Sequence, residues 1–293
     1  MTTPDQRGER TGADVTAEAG EAGNLALRVS SAAVLAPAVL AITYIDGWSF
    51  LVLCALAAAG ILWEWTHLTA TVDARNLAPG LAALVAALAL VGLHQPGMAA
   101  VAIAGGAGLT AAVAGRAAGP DARIWAAAGV GYAGIAFFGP AVLRQDPRWG
   151  LTALLFLFAT VWTTDIFAFL CGRAMGGPLL WSQVSPKKTW AGAIGGAAGG
   201  VAAGVAVAYA SGVGKLGIAG VMALVLSVLA QAGDLFESAV KRRFGAKDAG
   251  RLIPGHGGLM DRLDGFLVAA FAALLIGIVR QGTAAAGAGL LLW

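Results

Sequence analysis

The residues best equipped for chemistry crowd into one stretch, Gly233–Gly265, which reads GDLFESAVKRRFGAKDAGRLIPGHGGLMDRLDG. Its 33 residues hold six of the 19 basic residues, five of the 16 acidic ones and one of three histidines. Asp234, Ser238 and Lys241 stand at i, i+4 and i+7, one face of a helix that runs to about Phe244. Asp261 and Asp264 stand at i and i+3, one face of a helix that starts near Leu259. With the Pro254-Gly-His256-Gly-Gly turn between them, two helix ends aim carboxylates into a shared space. Clustered carboxylates suit a hard, oxygen-loving cation such as Mg²⁺. Lys241, Arg242, Arg243, Lys247, Arg251 and Arg262 beside them suit a polyphosphate. A solvated basic loop that merely fixes topology would explain the cations, but it has no need of ordered acids.

A second group lies upstream. Asp165 falls inside an apolar run, TTDIFAFLCGR, where an acid is expensive and faces a cavity or a partner. Then comes Val184-Ser185-Pro-Lys187-Lys188-Thr189-Trp190. Ser185–Thr189 is expected to open the next helix. There two hydroxyls, free backbone N–H groups and two lysines could gather on a phosphate.

The elements that must position these groups are membrane helices. The chain is 58% hydrophobic and 12% charged, with mean hydropathy +0.77, against about 25% charged residues in soluble domains. Nine apolar stretches approach the roughly 20 residues that a bilayer requires. Their limits are near 28–45, 48–66, 77–94, 98–114, 124–143, 150–171, 190–210, 216–236 and 263–280. The expected fold is all-α: a polytopic integral membrane protein of about nine transmembrane helices. Residues 1–23 read as a disordered cytosolic tail, with no apolar h-region of a signal peptide. Residues 24–149 are the N-terminal transmembrane helices. Residues 150–293 form a catalytic transmembrane region with cytosolic motif loops 172–189 and 237–262. Thr283–Trp293 is apolar but too short to span.

Lesser features divide quickly. Glu64, between Trp63 and Trp65 at the end of a span, reads as a membrane-edge acid. Gly129-Val-Gly-Tyr-Ala-Gly134 matches GxGxxG but sits in an apolar span without a strand before it, so the dinucleotide reading fails. Gly192, Gly196, Gly200 and Gly204 repeat every four residues and let another helix approach closely, within the chain or across a dimer. Cys54 and Cys171 form no disulfide or zinc pattern. A transporter would spread polar groups over several spans and carry internal repeats, and a scaffold on anionic lipid would not order carboxylates.

Ser238-Ala-Val-Lys241-Arg242, four residues, Lys247-Asp248, then Pro254-Gly-His256-Gly-Gly-Leu-Met-Asp261-Arg262-Leu-Asp264 resembles the full signature of the phosphatidate cytidylyltransferase (CDP-diacylglycerol synthase) family. The order Asp165-x-x-Ala-Phe, Gly172-Arg173, Ser185-Pro-Lys-Lys-Thr-Trp190 resembles the same family, except that Ala191 stands where Glu or Gln is frequent. The resemblance is strong over about residues 160–265. It implies transfer of CMP from CTP to phosphatidic acid in phospholipid biosynthesis, giving CDP-diacylglycerol and pyrophosphate. By resemblance and spacing, Asp234 and Asp261 are the first choices to hold Mg²⁺, with Asp264 and Asp165 as further ligands. Lys187, Lys188, Lys241 and Arg242 would bind phosphates, Ser185 and Thr189 would add hydroxyls, and Ser238, Lys247 and Arg262 would contact substrate. His256 would shape the turn or donate to a phosphate rather than act as base. Relatives that use an isoprenoid-ether lipid phosphate, or a CTP-dependent polyprenol kinase, are the nearest alternatives. A second, monovalent cation beside Mg²⁺ and a homodimer stay open; membrane lipids are expected partners and nucleic acid is not. The expected location is the bacterial cytoplasmic membrane.

Orientation follows from Lys and Arg. With the N-terminus inside, 15 of them fall on the inner side and 4 (Arg144, Arg148, Lys215, Arg280) on the outer, the full 19. Both motif loops then face the cytosol. In a background lacking Cys54 and Cys171, single cysteines replacing Arg251 and Lys215 should react with an impermeant thiol reagent from opposite sides of the membrane. Labelling from one side would overturn the assignment.

Overall fold

The computed structural model of the chain describes residues 33–45, 47–71, 74–114, 119–250, 252 and 257–293. The expected tail 1–23, Arg251 and His256 lie outside them. Without water to satisfy peptide groups, an apolar chain in lipid closes its hydrogen bonds within helices. The described helices are α1 (Ala33–Ile45), α2 (Trp48–Leu68), α3 (Ala74–Gly92), α4 (Pro96–Ala114), α5 (Gly119–Arg144), α6 (Gly150–Met175), α7 (Trp190–Ala210), α8 (Leu216–Arg243), α9 (Met260–Gln281) and the short α10 (Ala286–Leu291). Seven of them, α2 and α4–α9, are long and apolar enough to cross a membrane; α1 and α3 add the shorter apolar runs Ala33–Ile45 and Leu77–Gly92. The protein is an all-α polytopic membrane protein with one small addition. Between α6 and α7, β1 (Leu179–Trp181) and β2 (Ser185–Thr189) pair antiparallel as a hairpin.

Close helix packing rests on small residues. The glycines of α7 pack on α6 of the same chain. A methyl group on Gly192 would stand 2.7 Å from the Ala168 carbonyl oxygen, and one on Gly196 would stand 2.8 Å from that of Thr164. One on Gly200 would stand 3.0 Å from the carbonyl of Thr160. The ridge is thus consumed within the chain and offers no free face to a second copy. Behind it, the buried Thr164 and Ser227 hydroxyls hydrogen-bond at 2.8 Å and tie α6 to α8. The GxGxxG run is also a packing surface: Gly129 lies under the Trp65 ring and Gly134 against Ile103.

The loops sort to two ends. At one end the last turn of α2, the first of α5 and the last of α8 meet around Thr69, Trp125, Arg243 and Phe244. The hairpin and the start of α9 join that end. At the other end Arg144 Nε donates to the Thr43 carbonyl at 2.8 Å, and buried Asp146 accepts from Trp149 N at 2.9 Å and from Ala288 N at 2.8 Å. The tail 283–293 does not span, as its length requires. It folds back as α10, fully buried, with Arg280 donating to the Leu292 carbonyl at 2.7 Å and stacking on Trp293.

Gly196→Val would overpack the α6–α7 contact. That costs about 1–3 kcal/mol, so the unfolding midpoint in detergent should fall by roughly 2–12 °C. Gly105→Val, where an added side chain meets open space, should leave the midpoint unchanged.

Candidate active site

α6, the hairpin, α7, α8 and α9 enclose a cavity of about 750 Å³ at the end that carries the motifs. Helix spacing explains its lining. Asp234 and Lys241 lie two turns apart on α8, and Asp261 and Asp264 one turn apart on α9, so four charged groups face one space. Asp165 enters from α6, while Ser185, Lys187, Lys188 and Thr189 enter from the strand β2. Arg262 completes the expected residues that line it. Three expected residues do not. Arg242 is exposed at the end of α8 and donates to the Ala246 carbonyl at 3.4 Å; Lys247 is exposed and Ser238 half-buried, and neither lines the cavity.

Charge compensation orders the interior. Lys188 Nζ is ion-paired with Asp234 Oδ2. Lys241 Nζ stands between two acids, 2.6 Å from Asp261 Oδ1 and 3.3 Å from Glu237 Oε1. Asp261 also accepts from the backbone N–H of Ala249 and of Gly258, each at 3.0 Å to Oδ2. The signature loop therefore folds back onto its own aspartate. Asp165, exposed at the cavity, has no ion-pair partner among the described residues. Alongside the charges stand Phe169, Ala168 and Leu180. The lining is amphipathic, fit for a molecule with a polyanionic head and an apolar body.

Two expectations change. Ser185–Thr189 does not open a helix: Pro186 and the pairing with Leu179–Trp181 keep it extended. α7 begins at Trp190, and the Thr189 hydroxyl caps it, accepting from Gly192 N at 3.1 Å. The lysines thus reach the cavity from a strand. Glu64 is not a membrane-edge acid either. It is 2% exposed, and its carboxylate receives the backbone N–H of Leu259 and of Met260. Two further residues escaped the sequence reading. Glu237, 0% exposed, carried a usable signal, four residues before Lys241. Gln231, which lines the cavity and donates to the Ala193 carbonyl at 3.3 Å, carried none.

A transmembrane all-α fold with a lysine- and aspartate-lined cavity at one end belongs to a recognised class. The cytidylyltransferase family model matches residues 26–279, and the chain belongs to that family. Among similar proteins is the phosphatidate cytidylyltransferase of Brucella abortus biovar 1 (strain 9-941), 41% identical over 259 residues, which cover 87% of this chain and 94% of the relative. Those of Staphylococcus haemolyticus (strain JCSC1435) and Staphylococcus aureus (strain COL) are 40% and 42% identical over 139 residues, 47% of this chain and 52% of each relative.

Lys241→Met would leave Glu237 and Asp261 facing each other without a cation. Breaking such a pair costs about 3–5 kcal/mol, a midpoint loss of roughly 6–20 °C. Adding Glu237→Gln to the same chain should restore more than half of that loss. A midpoint that Lys241→Met does not move would show that the lysine carries no charge balance.

Proposed function

We propose that this chain transfers CMP from CTP to phosphatidic acid, giving CDP-diacylglycerol and pyrophosphate. The observation that carries the reading is the meeting, in one cavity, of Lys187, Lys188, Lys241 and Arg262 with the carboxylates of Asp165, Asp234 and Asp264, beside the apolar Phe169 and Leu180. The names of the relatives in Brucella and Staphylococcus support it.

In this reaction a phosphate oxygen of the lipid attacks the α-phosphorus of CTP. The bond from that phosphorus to the bridging β-phosphate oxygen breaks, and pyrophosphate leaves with that oxygen. A phosphate monoester has a second pKa of about 6, as in phosphoserine, so the attacking group is already anionic and needs no strong base. What the chain must supply is neutralisation of the phosphates and alignment of the attack. Lys187, exposed at the cavity, and Lys188 meet the nucleotide phosphates from the hairpin side. Arg262 and Lys241 meet them from α9 and α8. The apolar lining holds the diacylglycerol part against the lipid phase.

The donor set fits Mg²⁺ of the usual kind, held by one or two carboxylates plus substrate phosphates. Among the described residues no three acids or imidazoles already converge as a metal site. Asp234 and Asp165 are the carboxylates with oxygens to spare, and Asp264 stands beside them. Asp261 joins only by exchanging Lys241, since its oxygens are taken by the lysine and two backbone N–H groups. When bound, the ion neutralises phosphate oxygens and fixes their orientation. We place the motif end on the cytosolic side of a bacterial cytoplasmic membrane, on the bias of Lys and Arg and on the bacterial origin of the relatives.

Purified protein in detergent, given phosphatidic acid, Mg²⁺ and CTP labelled at either the α- or the γ-phosphate, should form labelled lipid from the α-label alone. EDTA should abolish turnover and Mg²⁺ restore it. Asp234→Asn should lower turnover by about 100-fold or more with its unfolding midpoint retained. Label passing to lipid from the γ-phosphate would replace this reading with a kinase.

A further inference from the structure

We infer that Glu64 is a positioning residue for the reaction, an inference that rests on the CMP-transfer reading. It lies on α2, outside the cavity and almost 200 residues before the signature loop that it holds. Helix α9 begins without a cap of its own: Leu259 occupies the cap position and makes no side-chain hydrogen bond. The cap comes from α2 instead. Glu64 Oε1 accepts from Leu259 N at 2.9 Å, and Oε2 accepts from Met260 N at 2.7 Å. The next backbone group back, Gly258 N, is held by Asp261 at 3.0 Å. Three successive N–H groups are therefore fixed by two carboxylates, one in the site and one outside it. Asp261 follows immediately, so its position relative to α2 is set by the fork on Glu64.

Three independent features support the same assignment. Gly60, one turn before Glu64 on α2, receives the side chain of Leu259: a methyl group there would stand 2.8 Å from Leu259 Cδ2. The loop is thus gripped by one helix face, through a backbone fork and a side-chain seat. Two glycines of the loop make room for the carboxylate. A methyl group on Gly250 would stand 2.5 Å from Glu64 Oε1, and one on Gly258 would stand 2.9 Å from Oε2. Finally, a carboxylate 2% exposed in a membrane protein is costly without strong partners, and the fork supplies charge-assisted bonds at a helix N-terminus, where negative charge is favoured.

A misplacement of about 1 Å at a reacting centre costs on the order of 100-fold in rate. Glu64→Gln keeps the shape but turns an N–H donor toward one of the two backbone N–H groups, which breaks the fork. The expected result is a turnover number, per folded enzyme, reduced about 10- to 100-fold, with the KM for phosphatidic acid within about twofold of wild type. Glu64→Asp, charged but one methylene shorter, should fall between the two. Hydrogen exchange gives a readout apart from activity. The amides of Leu259 and Met260 should exchange at least about tenfold faster in Glu64→Gln, while those of the second half of α9 keep their wild-type rates. If Glu64→Gln does not fold, Gly60→Ala disturbs the same loop from the same face without changing charge. It should lower turnover in the same direction. Wild-type turnover per folded enzyme in Glu64→Gln or Gly60→Ala would overturn the inference, as would unchanged exchange at Leu259 and Met260. Wild-type protein that makes no CDP-lipid would overturn the activity instead, and the exchange measurement would still decide the cap.

Discussion

The site depends on Lys241 standing between Glu237 and Asp261. In a low-dielectric interior an isolated charge is costly, and here one cation is set between the fully buried Glu237 and the half-buried Asp261. Everything around it follows from that arrangement. Asp261 can then fold the signature loop back by its two backbone acceptances, and the first turn of α9 brings Arg262 and Asp264 to the cavity. On the far wall a second pair, Lys188 with Asp234, joins the hairpin to α8. Two ion pairs thus hold three elements around an open centre, and Asp165 and Lys187 have no such pairing among the described residues.

This division explains a property of the site that neither pair has alone. A phosphate-rich ligand offers charge to the lysines, and a divalent ion offers charge to the aspartates. At Lys188, Asp234, Lys241 and Asp261 such a ligand would compete with an existing internal pair. At those four residues an exchange of partners would offset part of the desolvation cost.

Much of this was legible in the sequence because the forces that set it are local or one-dimensional. Span limits came out within a few residues for α2 and α4–α7, since hydropathy over about 20 residues decides them. Helical spacing brought Asp234 and Lys241, and Asp261 and Asp264, to common faces, and ten of the residues singled out line one cavity. What was not legible depends on chain crossing. Nothing near Glu64 in sequence shows that its partners are the amides of Leu259 and Met260. Thr189 and the strand before it were misread because a helix start and a short hairpin look alike in five residues with a proline. The glycines of α7 announced close approach, but only the structure names α6 as the partner.

The fork on Glu64 also has a consequence for biosynthesis. Its two amide partners follow it by 195 and 196 residues. At about 5–20 residues per second of translation, the carboxylate waits roughly 10–40 s for them. During that interval the two amides that it receives in the finished protein have not yet been made. The fork between the second helix and the start of α9 therefore belongs among the late contacts of the fold. The closing step of assembly is the one that completes the site, so a chain stalled before α9 carries an unfinished pocket.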